Sequence, residues 1–177
     1  MREGAVRNRW VAARWALRGV LARYLDEDPA AIELALGENG KPRLADPSAT
    51  LRFNLSHSGG LAAVAVSDEL EVGVDIERVK PRRNLLRLAR RVLSADEAAA
   101  VEARAPEERL AAFHVAWTRR EAVAKCFGVG LAAPPPDSPV AVSQLDLAPA
   151  YAAAIAVAGD TVPPLHGFDL SPAGLAN

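Results

Sequence analysis

The chain carries near its middle the stretch Leu70-Glu-Val-Gly-Val-Asp-Ile-Glu77, in which apolar and other residues alternate. Alternation is typical of a β-strand, because successive side chains of a strand point to opposite faces. The two valines and the isoleucine then share one face, and Asp75 and Glu77 share the other. Two carboxylates at this spacing can converge on one cation, and Mg²⁺ prefers oxygen ligands. The alternative is an ordinary solvent-facing strand edge.

Two further strand-like segments precede this stretch, over 51–56 and 61–66. The turn sequences Ser58-Gly-Gly60 and Ser67-Asp-Glu69 connect them to each other and to the strand over 70–76. An antiparallel meander of three strands is the simplest prediction. Two short strands, over 140–147 and 151–158, are predicted towards the end of the chain.

Helical patterns flank these strands. The apolar spacing over 6–25 predicts an amphipathic helix, with Arg7, Arg14 and Arg18 on a neighbouring face that is either solvated or turned towards phosphate. A capping box, Ser94-Ala-Asp-Glu97, predicts that a helix begins there. A longer helix is predicted from Pro106 to Phe127, ending at Gly128. The run over 37–42 predicts turns and loop, and the mixture of elements predicts the α+β class.

Length and composition limit the classes of protein. The 177 residues, 50% hydrophobic and 24% charged, predict one domain or two small halves around a packed core. A net charge of −1 argues against nucleic-acid binding, and no apolar run approaches the roughly 20 residues that cross a bilayer. The single cysteine, Cys126, cannot form an internal disulfide and is predicted to lie in the core. We therefore expect a cytoplasmic protein that contacts neither nucleic acid nor membrane.

Two more segments carry residues that could do chemistry. In Trp117-Thr-Arg-Arg-Glu-Ala-Val-Ala-Lys125, Glu121 and Lys125 share a helix face, either as a surface ion pair or as a metal ligand beside a phosphate clamp. Ser56 and His57 end a strand before two glycines, where short polar groups can touch a ligand. Adjacent strand residues point to opposite faces, which argues against a serine–histidine hydrolase. A structural histidine is the alternative.

Four segments follow one another in the order found in a known family. They are Gly40-Lys-Pro42, Phe53-Asn-Leu-Ser-His-Ser58, Val72-Gly-Val-Asp-Ile-Glu77, and the segment 117–125 followed by Gly128-Val-Gly-Leu131. Together they resemble the 4′-phosphopantetheinyl transferase superfamily, in its surfactin-type branch. The resemblance implies two related α+β halves about a pseudo-twofold axis, over 1–78 and 79–177, with antiparallel strands, helices and a compact second half.

The resemblance also implies an activity. Such an enzyme transfers 4′-phosphopantetheine from coenzyme A to a serine of an apo acyl or peptidyl carrier protein, depends on Mg²⁺, and releases adenosine 3′,5′-bisphosphate. A fold of two related halves suggests a monomer. Two alternatives stay open: a Mg²⁺-dependent phosphate-ester or pyrophosphate hydrolase, and a degenerate, non-catalytic binder of coenzyme A or of a carrier protein.

Roles for individual residues follow from the resemblance alone. It implies that Asp75 and Glu121 hold Mg²⁺, with Glu77 as a third ligand or water anchor, and that Lys125 neutralises the pyrophosphate. Glu121, or a water that it holds, is the first candidate for the base that accepts the serine proton, and Glu97 is the second. The residues implied at the nucleotide end are Lys41, Pro42, Ser56 and His57, with Arg7 and Arg14 as additional phosphate contacts. One departure from the family is Arg120, where a lysine is usual.

Overall fold

The computed structural model describes residues 2–131 and 137–169, with side chains from residue 11 onward apart from residue 38. It is an α+β arrangement, as predicted. The elements in chain order are α1 (Arg2–Leu25), β1 (Leu34–Leu36), β2 (Pro42–Leu44), β3 (Arg52–Ser58), β4 (Leu61–Ser67), β5 (Val72–Arg78), α2 (Leu85–Val92), α3 (Ala95–Glu102), α4 (Arg109–Phe127), β6 (Val140–Leu145) and β7 (Tyr151–Ala158).

The strands form three antiparallel sheets, and the predicted meander is wrong. Strands β3 and β4 form a hairpin, but β5 pairs with β7, which also pairs with β6. The backbone of β5, which ends at Arg78, therefore hydrogen-bonds to β7, a strand that begins more than 70 residues later in the chain. The unpredicted strands β1 and β2 form a small hairpin of their own across the run that was expected to be loop.

Side chains join β3 to the free edge of β5. Three polar residues on one face of β3, spaced two apart, accept hydrogen bonds from backbone N–H groups of β5, also spaced two apart. These three hydrogen bonds form a ladder along the edge of β5 that would have paired with β4 in the predicted meander. The three bonds run from Val74 N–H to Asn54 Oδ1 at 3.0 Å, from Ile76 N–H to Ser56 Oγ at 3.3 Å, and from Arg78 N–H to Ser58 Oγ at 3.1 Å.

Helix α4 lies directly against β5 and β7. Its buried Ala122 and Cys126 pack on Ala154 and Ala156 of β7, and these small side chains let the helix approach the sheet closely. Gly73 is essential to that approach, because a Cβ atom there would overlap the carbonyl oxygen of Ala122 and the amide nitrogen of Cys126. The close contact fixes how α4 presents its polar residues to β5.

The predicted helix boundaries are confirmed at two points. Ser94 Oγ accepts the N–H of Glu97 at 3.2 Å, and the Ser94 N–H donates to Glu97 Oε2 at 2.8 Å, so the capping box is complete at the start of α3. Helix α4 ends at Phe127, and Gly128 follows with a left-handed φ of 63°. It begins at Arg109, later than predicted, after a turn that contains Pro106.

Helix α1 packs its apolar face on the first half of the chain. Leu17 and Leu21 are buried together with Ile32 and Phe53. Arg18 donates to the carbonyl oxygens of Pro29 at 2.7 Å and Ile32 at 2.8 Å, so this member of the basic stripe stabilises the loop after α1. Within the described residues, no helix has both the length and the apolar character that a membrane crossing requires.

Candidate active site

Strands β3 and β5 and helix α4 bring three polar side chains into one buried cluster. Asp75 is only 3% exposed. Its Oδ1 accepts a hydrogen bond from Ser56 Oγ at 2.8 Å and from Lys125 Nζ at 2.6 Å. Asp75 is therefore not part of a solvent-facing strand edge, and the ion pair that Lys125 makes among the described residues is with Asp75, not with Glu121. A buried carboxylate paired with a lysine whose side chain is 30% exposed makes this cluster a candidate for a functional site.

The Ser56 hydroxyl uses its full hydrogen-bonding capacity inside this cluster. It donates to Asp75 and accepts from Lys125 Nζ at 3.0 Å and from the Ile76 N–H at 3.3 Å. A hydroxyl has one donor and two acceptor positions, so these three bonds set its orientation. Ser56 is buried while His57 is exposed, which confirms that the two residues point to opposite faces. The nucleotide contact implied for Ser56 stays a prediction.

The second oxygen of Asp75 has no partner within the described residues. Asp75 Oδ2 is buried and accepts no hydrogen bond. An unsatisfied buried oxygen costs free energy, more so on a charged group. A hard cation, whose preferred ligands are carboxylate oxygens, would satisfy it. The donor set at this point therefore fits Mg²⁺.

Glu121 brings further negative charge to the same place. Burial is the main reason that the pKa of Glu121 lies above its ordinary value; Lys125 opposes this shift, while the charges of Asp75 and Glu77 add to it. Glu121 thus lies near enough to Asp75 and to Glu77 for the charges of both to act on it. Even so, the described part of the chain contains no three His, Cys, Asp or Glu side chains arranged to hold a metal ion as they stand. Mg²⁺ commonly takes only one or two carboxylates and completes its shell with phosphate and water.

Replacing Glu121 with glutamine is expected to raise the thermal unfolding midpoint of the metal-free protein. Because burial raises the pKa of Glu121 in the folded state above its ordinary value of 4.5, the ionised carboxylate lowers stability as the pH rises above that ordinary value. Glutamine keeps the shape and removes the charge. The gain should be largest near neutral pH and should shrink at acid pH, where wild-type Glu121 is protonated. A variant that is less stable at every pH would contradict this reasoning.

Ser58 and Glu77 form a second pair beside Ser56 and Asp75. Ser58 Oγ donates to Glu77 Oε2 at 2.7 Å and accepts the N–H of Arg78. Glu77 is half-buried. Sequence reasoning did not single out Ser58, although the polar residues at 54, 56 and 58 repeat with the same period of two as the carboxylates at 75 and 77.

A groove of about 270 Å³ opens on the other face of β3. Three residues that were implied at the nucleotide end line it: Arg14, Pro42 and His57. The structure brings them together from α1, β2 and β3. The side chain of Arg7, the other predicted phosphate contact on α1, lies outside the described residues.

Lys41 is not among the residues that line the groove, and its ammonium binds oxygen atoms of the protein instead. Its ammonium, on a side chain 15% exposed, contacts Glu71 Oε2 at 2.6 Å, the Val72 carbonyl at 3.1 Å and the Cys126 carbonyl at 2.6 Å. A cation at the carbonyl end of α4 is favoured by the helix dipole. Lys41 therefore ties the β1–β2 hairpin to β5 and α4, a role that sequence reasoning missed. The nucleotide contact implied for Lys41 stays a prediction.

Replacing Lys41 with methionine is expected to lower the free energy of unfolding by about 1–3 kcal/mol, because two carbonyls and Glu71 lose a shared donor. Chemical denaturation of the purified protein measures this loss. The matched control is Lys80→Met, since Lys80 is exposed, and it should shift stability by less than about 0.5 kcal/mol. Equal, small effects of both substitutions would contradict the structural role of Lys41.

Glu97 is held by the capping box and by α4. Its Oε2 accepts the Ser94 N–H at 2.8 Å and lies 3.3 Å from Nη1 of Arg120, the residue before Glu121. Arg120, where a lysine is usual in the family, thus links α4 to α3 through its contact with Glu97. The part of Glu97 as second candidate base stays a prediction.

Cys126 is fully buried, as expected, and burial raises the pKa of its thiol to about 11.

Comparison with known proteins gives a consistent result. Residues 71–158 match the model of the 4′-phosphopantetheinyl transferase superfamily. The chain is 46% identical over 123 residues to the 4′-phosphopantetheinyl transferase AcpT of Salmonella typhimurium, covering 70% of this chain and 60% of that protein. It is 36% identical over 128 residues to HetI of Nostoc, covering 71% and 54%, and 34% identical over 119 residues to Sfp of Bacillus subtilis, covering 67% and 51%.

The family match covers most of the candidate site, although Ser56 precedes residues 71–158. The matched segment of the chain spans about three fifths of the length of AcpT and about half that of Sfp. Asp75, Glu77, Glu121 and Lys125 all lie within the residues that the family model covers. The chain belongs to the 4′-phosphopantetheinyl transferase superfamily.

Proposed function

We propose that this chain is an enzyme that transfers 4′-phosphopantetheine from coenzyme A to a serine hydroxyl of an acyl or peptidyl carrier protein. The observation that carries the proposal is Asp75: a buried carboxylate with one oxygen bound to Ser56 and Lys125 and the other without a hydrogen-bond partner in the described part of the chain. The names of the relatives support the same reaction. The products are the modified carrier protein and adenosine 3′,5′-bisphosphate.

Asp75 and Glu121 would hold Mg²⁺, with Glu77 as a third ligand or as the anchor of a water. When bound, the ion would offset the charge of the coenzyme A pyrophosphate and of the leaving group. Its positive charge would also offset the repulsion by Asp75 and Glu77 that helps to raise the pKa of Glu121.

In the proposed reaction, the serine oxygen of the carrier protein bonds to the phosphorus that carries the pantetheine arm. The bond from that phosphorus to the departing bisphosphate oxygen breaks, and the electron pair leaves with the bisphosphate. Lys125, already aligned on the buried Asp75, would stabilise the charge of the pyrophosphate and of the leaving group. The serine proton would pass to Glu121 or to Glu97. Phosphoryl transfer requires chiefly such alignment and charge neutralisation.

The groove lined by Arg14, Pro42 and His57 would receive the nucleotide end of coenzyme A. Lys41, Ser56 and Arg7 stay as additional proposed contacts. We propose further that 1–78 and 79–177 are the two related halves, that coenzyme A lies between them, and that the protein acts as a cytoplasmic monomer without nucleic acid or membrane. The backbone pairing of β5 with β7 supports a shared core between the halves.

Intact-mass analysis tests the proposed reaction directly. A panel of apo carrier proteins is incubated with the protein, coenzyme A and Mg²⁺, and at least one carrier should gain the mass of one phosphopantetheine group. A carrier whose acceptor serine is replaced by alanine should gain nothing. Pyrophosphate cleavage of coenzyme A without a carrier would favour the hydrolase alternative. Coenzyme A binding with no transfer to any carrier would favour the non-catalytic binder.

A further inference from the structure

The contacts between β3 and β5 repeat along the two strands. Ser56 accepts the N–H of Ile76 and donates to the carboxylate of Asp75. Two residues later, Ser58 accepts the N–H of Arg78 and donates to the carboxylate of Glu77. In each repeat, a backbone N–H of β5 orients the serine hydroxyl of β3. That hydroxyl in turn holds one oxygen of a carboxylate on β5.

The second repeat leaves one Glu77 oxygen for another partner. The backbone bond to Arg78 occupies an acceptor position on Ser58 Oγ, so the hydroxyl proton is directed to Glu77 Oε2 at 2.7 Å. A side chain as long as glutamate has three rotatable bonds, and a half-buried carboxylate adopts many positions unless a partner holds it. Ser58 is such a partner, and it lies beside the repeat that holds Asp75.

We propose that Ser58 is a positioning residue for Glu77, and that it aligns this carboxylate with Asp75 so that both can serve one divalent cation. This inference rests on the proposed function, because it needs the cation site. The part of Ser58 differs from that of Ser56, which also binds Lys125. Within the described residues, Ser58 Oγ makes no hydrogen bond to Ser56, Asp75 or Lys125, and it acts through Glu77.

Metal affinity measured without the reaction tests the proposal. The full-length protein is titrated with Mn²⁺ alone, and the free ion is followed by electron paramagnetic resonance. Ser58→Ala should weaken Mn²⁺ binding about tenfold, since loss of a group that orients a metal ligand commonly has this effect. Ser58→Thr keeps the hydroxyl and should restore binding to within about twofold of wild type.

A double-mutant cycle separates positioning from loss of structure. If Ser58 acts through Glu77, Ser58→Ala should weaken binding no further once Glu77→Gln is present. Asn54→Ala is the matched control, because it removes the rung at the other end of the same β3–β5 ladder, and within the described residues the Asn54 side chain bonds to no carboxylate. It should lower the unfolding midpoint at least as much as Ser58→Ala while leaving Mn²⁺ affinity within about twofold of wild type.

Other results would overturn the proposal in distinguishable ways. If Ser58→Ala is equally harmful in the Glu77→Gln background, or if Asn54→Ala weakens Mn²⁺ binding as much, Ser58 acts through strand integrity and the inference is wrong. If Asp75→Asn abolishes binding while Glu77→Gln and Ser58→Ala have no effect, the inference fails and the proposed metal site stands. If Asp75→Asn binds Mn²⁺ like wild type, both are wrong.

Discussion

Replacing Asp75 with asparagine is expected to slow phosphopantetheine transfer by a factor of about a thousand or more, because loss of a metal ligand removes several kcal/mol of charge stabilisation. Asparagine preserves the volume and can still accept from Ser56 and Lys125. Its NH₂ group, however, would replace the buried free oxygen and repel a cation. The substitution also removes the only negative charge that Lys125 contacts in an ion pair among the described residues.

The measurement is the initial rate of carrier-protein modification at saturating coenzyme A and Mg²⁺, followed by intact mass. Circular dichroism and thermal unfolding show whether the variant remains folded. Asp160→Asn is the control, since Asp160 is exposed after β7, and it should transfer at the wild-type rate. Near wild-type turnover of Asp75→Asn at saturating Mg²⁺ would show that Asp75 does not hold the ion.

Replacing Gly73 with alanine is expected to lower the free energy of unfolding by about 3 kcal/mol or more, at the upper end of what overpacking costs. The added methyl group would overlap backbone atoms of α4, at Ala122 and Cys126, and not the end of a flexible side chain. The helix would have to move away from β5. Because α4 also carries Glu121 and Lys125, the same displacement should separate both residues from Asp75.

Urea denaturation measures the loss of stability, and the transfer rate of the folded fraction measures the displacement. Gly60→Ala is the matched control in the turn after β3. Its added Cβ would meet no atom within 4 Å, so a change of less than about 0.5 kcal/mol is expected. Equal stability of the two variants would mean that β5 and α4 do not approach as closely as the structure shows.

The local features of the fold could be predicted because they depend on neighbours in the chain. The capping box at Ser94 and Glu97 involves residues three apart, and the end of α4 at Gly128 depends on one left-handed residue. The alternation in β5 correctly placed Asp75 on the face opposite the buried valines. Sequence patterns also identified Glu121 and Lys125 as residues of one helix face.

The candidate site could be predicted in its residue types but not in its contacts. Asp75 and Lys125 are 50 residues apart, and no local pattern shows that their side chains meet. Lys41 illustrates the same limit: the motif that contains it resembles a nucleotide-binding segment, yet its ammonium binds Glu71 and two carbonyls. Which oxygen a flexible lysine reaches depends on how distant elements pack.

The amino-acid sequence by itself determined three of the four described helices, most of the strands, and the candidate residues for binding phosphate and a cation. Only the tertiary structure decided that β5 pairs with β7, and that side chains of β3 occupy its other edge. The reason is physical. The alternation of apolar and polar side chains shows which face of a strand is buried, but the edges of every strand carry the same backbone N–H and C=O groups, so the sequence pattern does not show which strand pairs there. Small residues such as Gly73, Ala122 and Ala154 allowed α4 to settle against this sheet, and that packing brought Lys125 to Asp75.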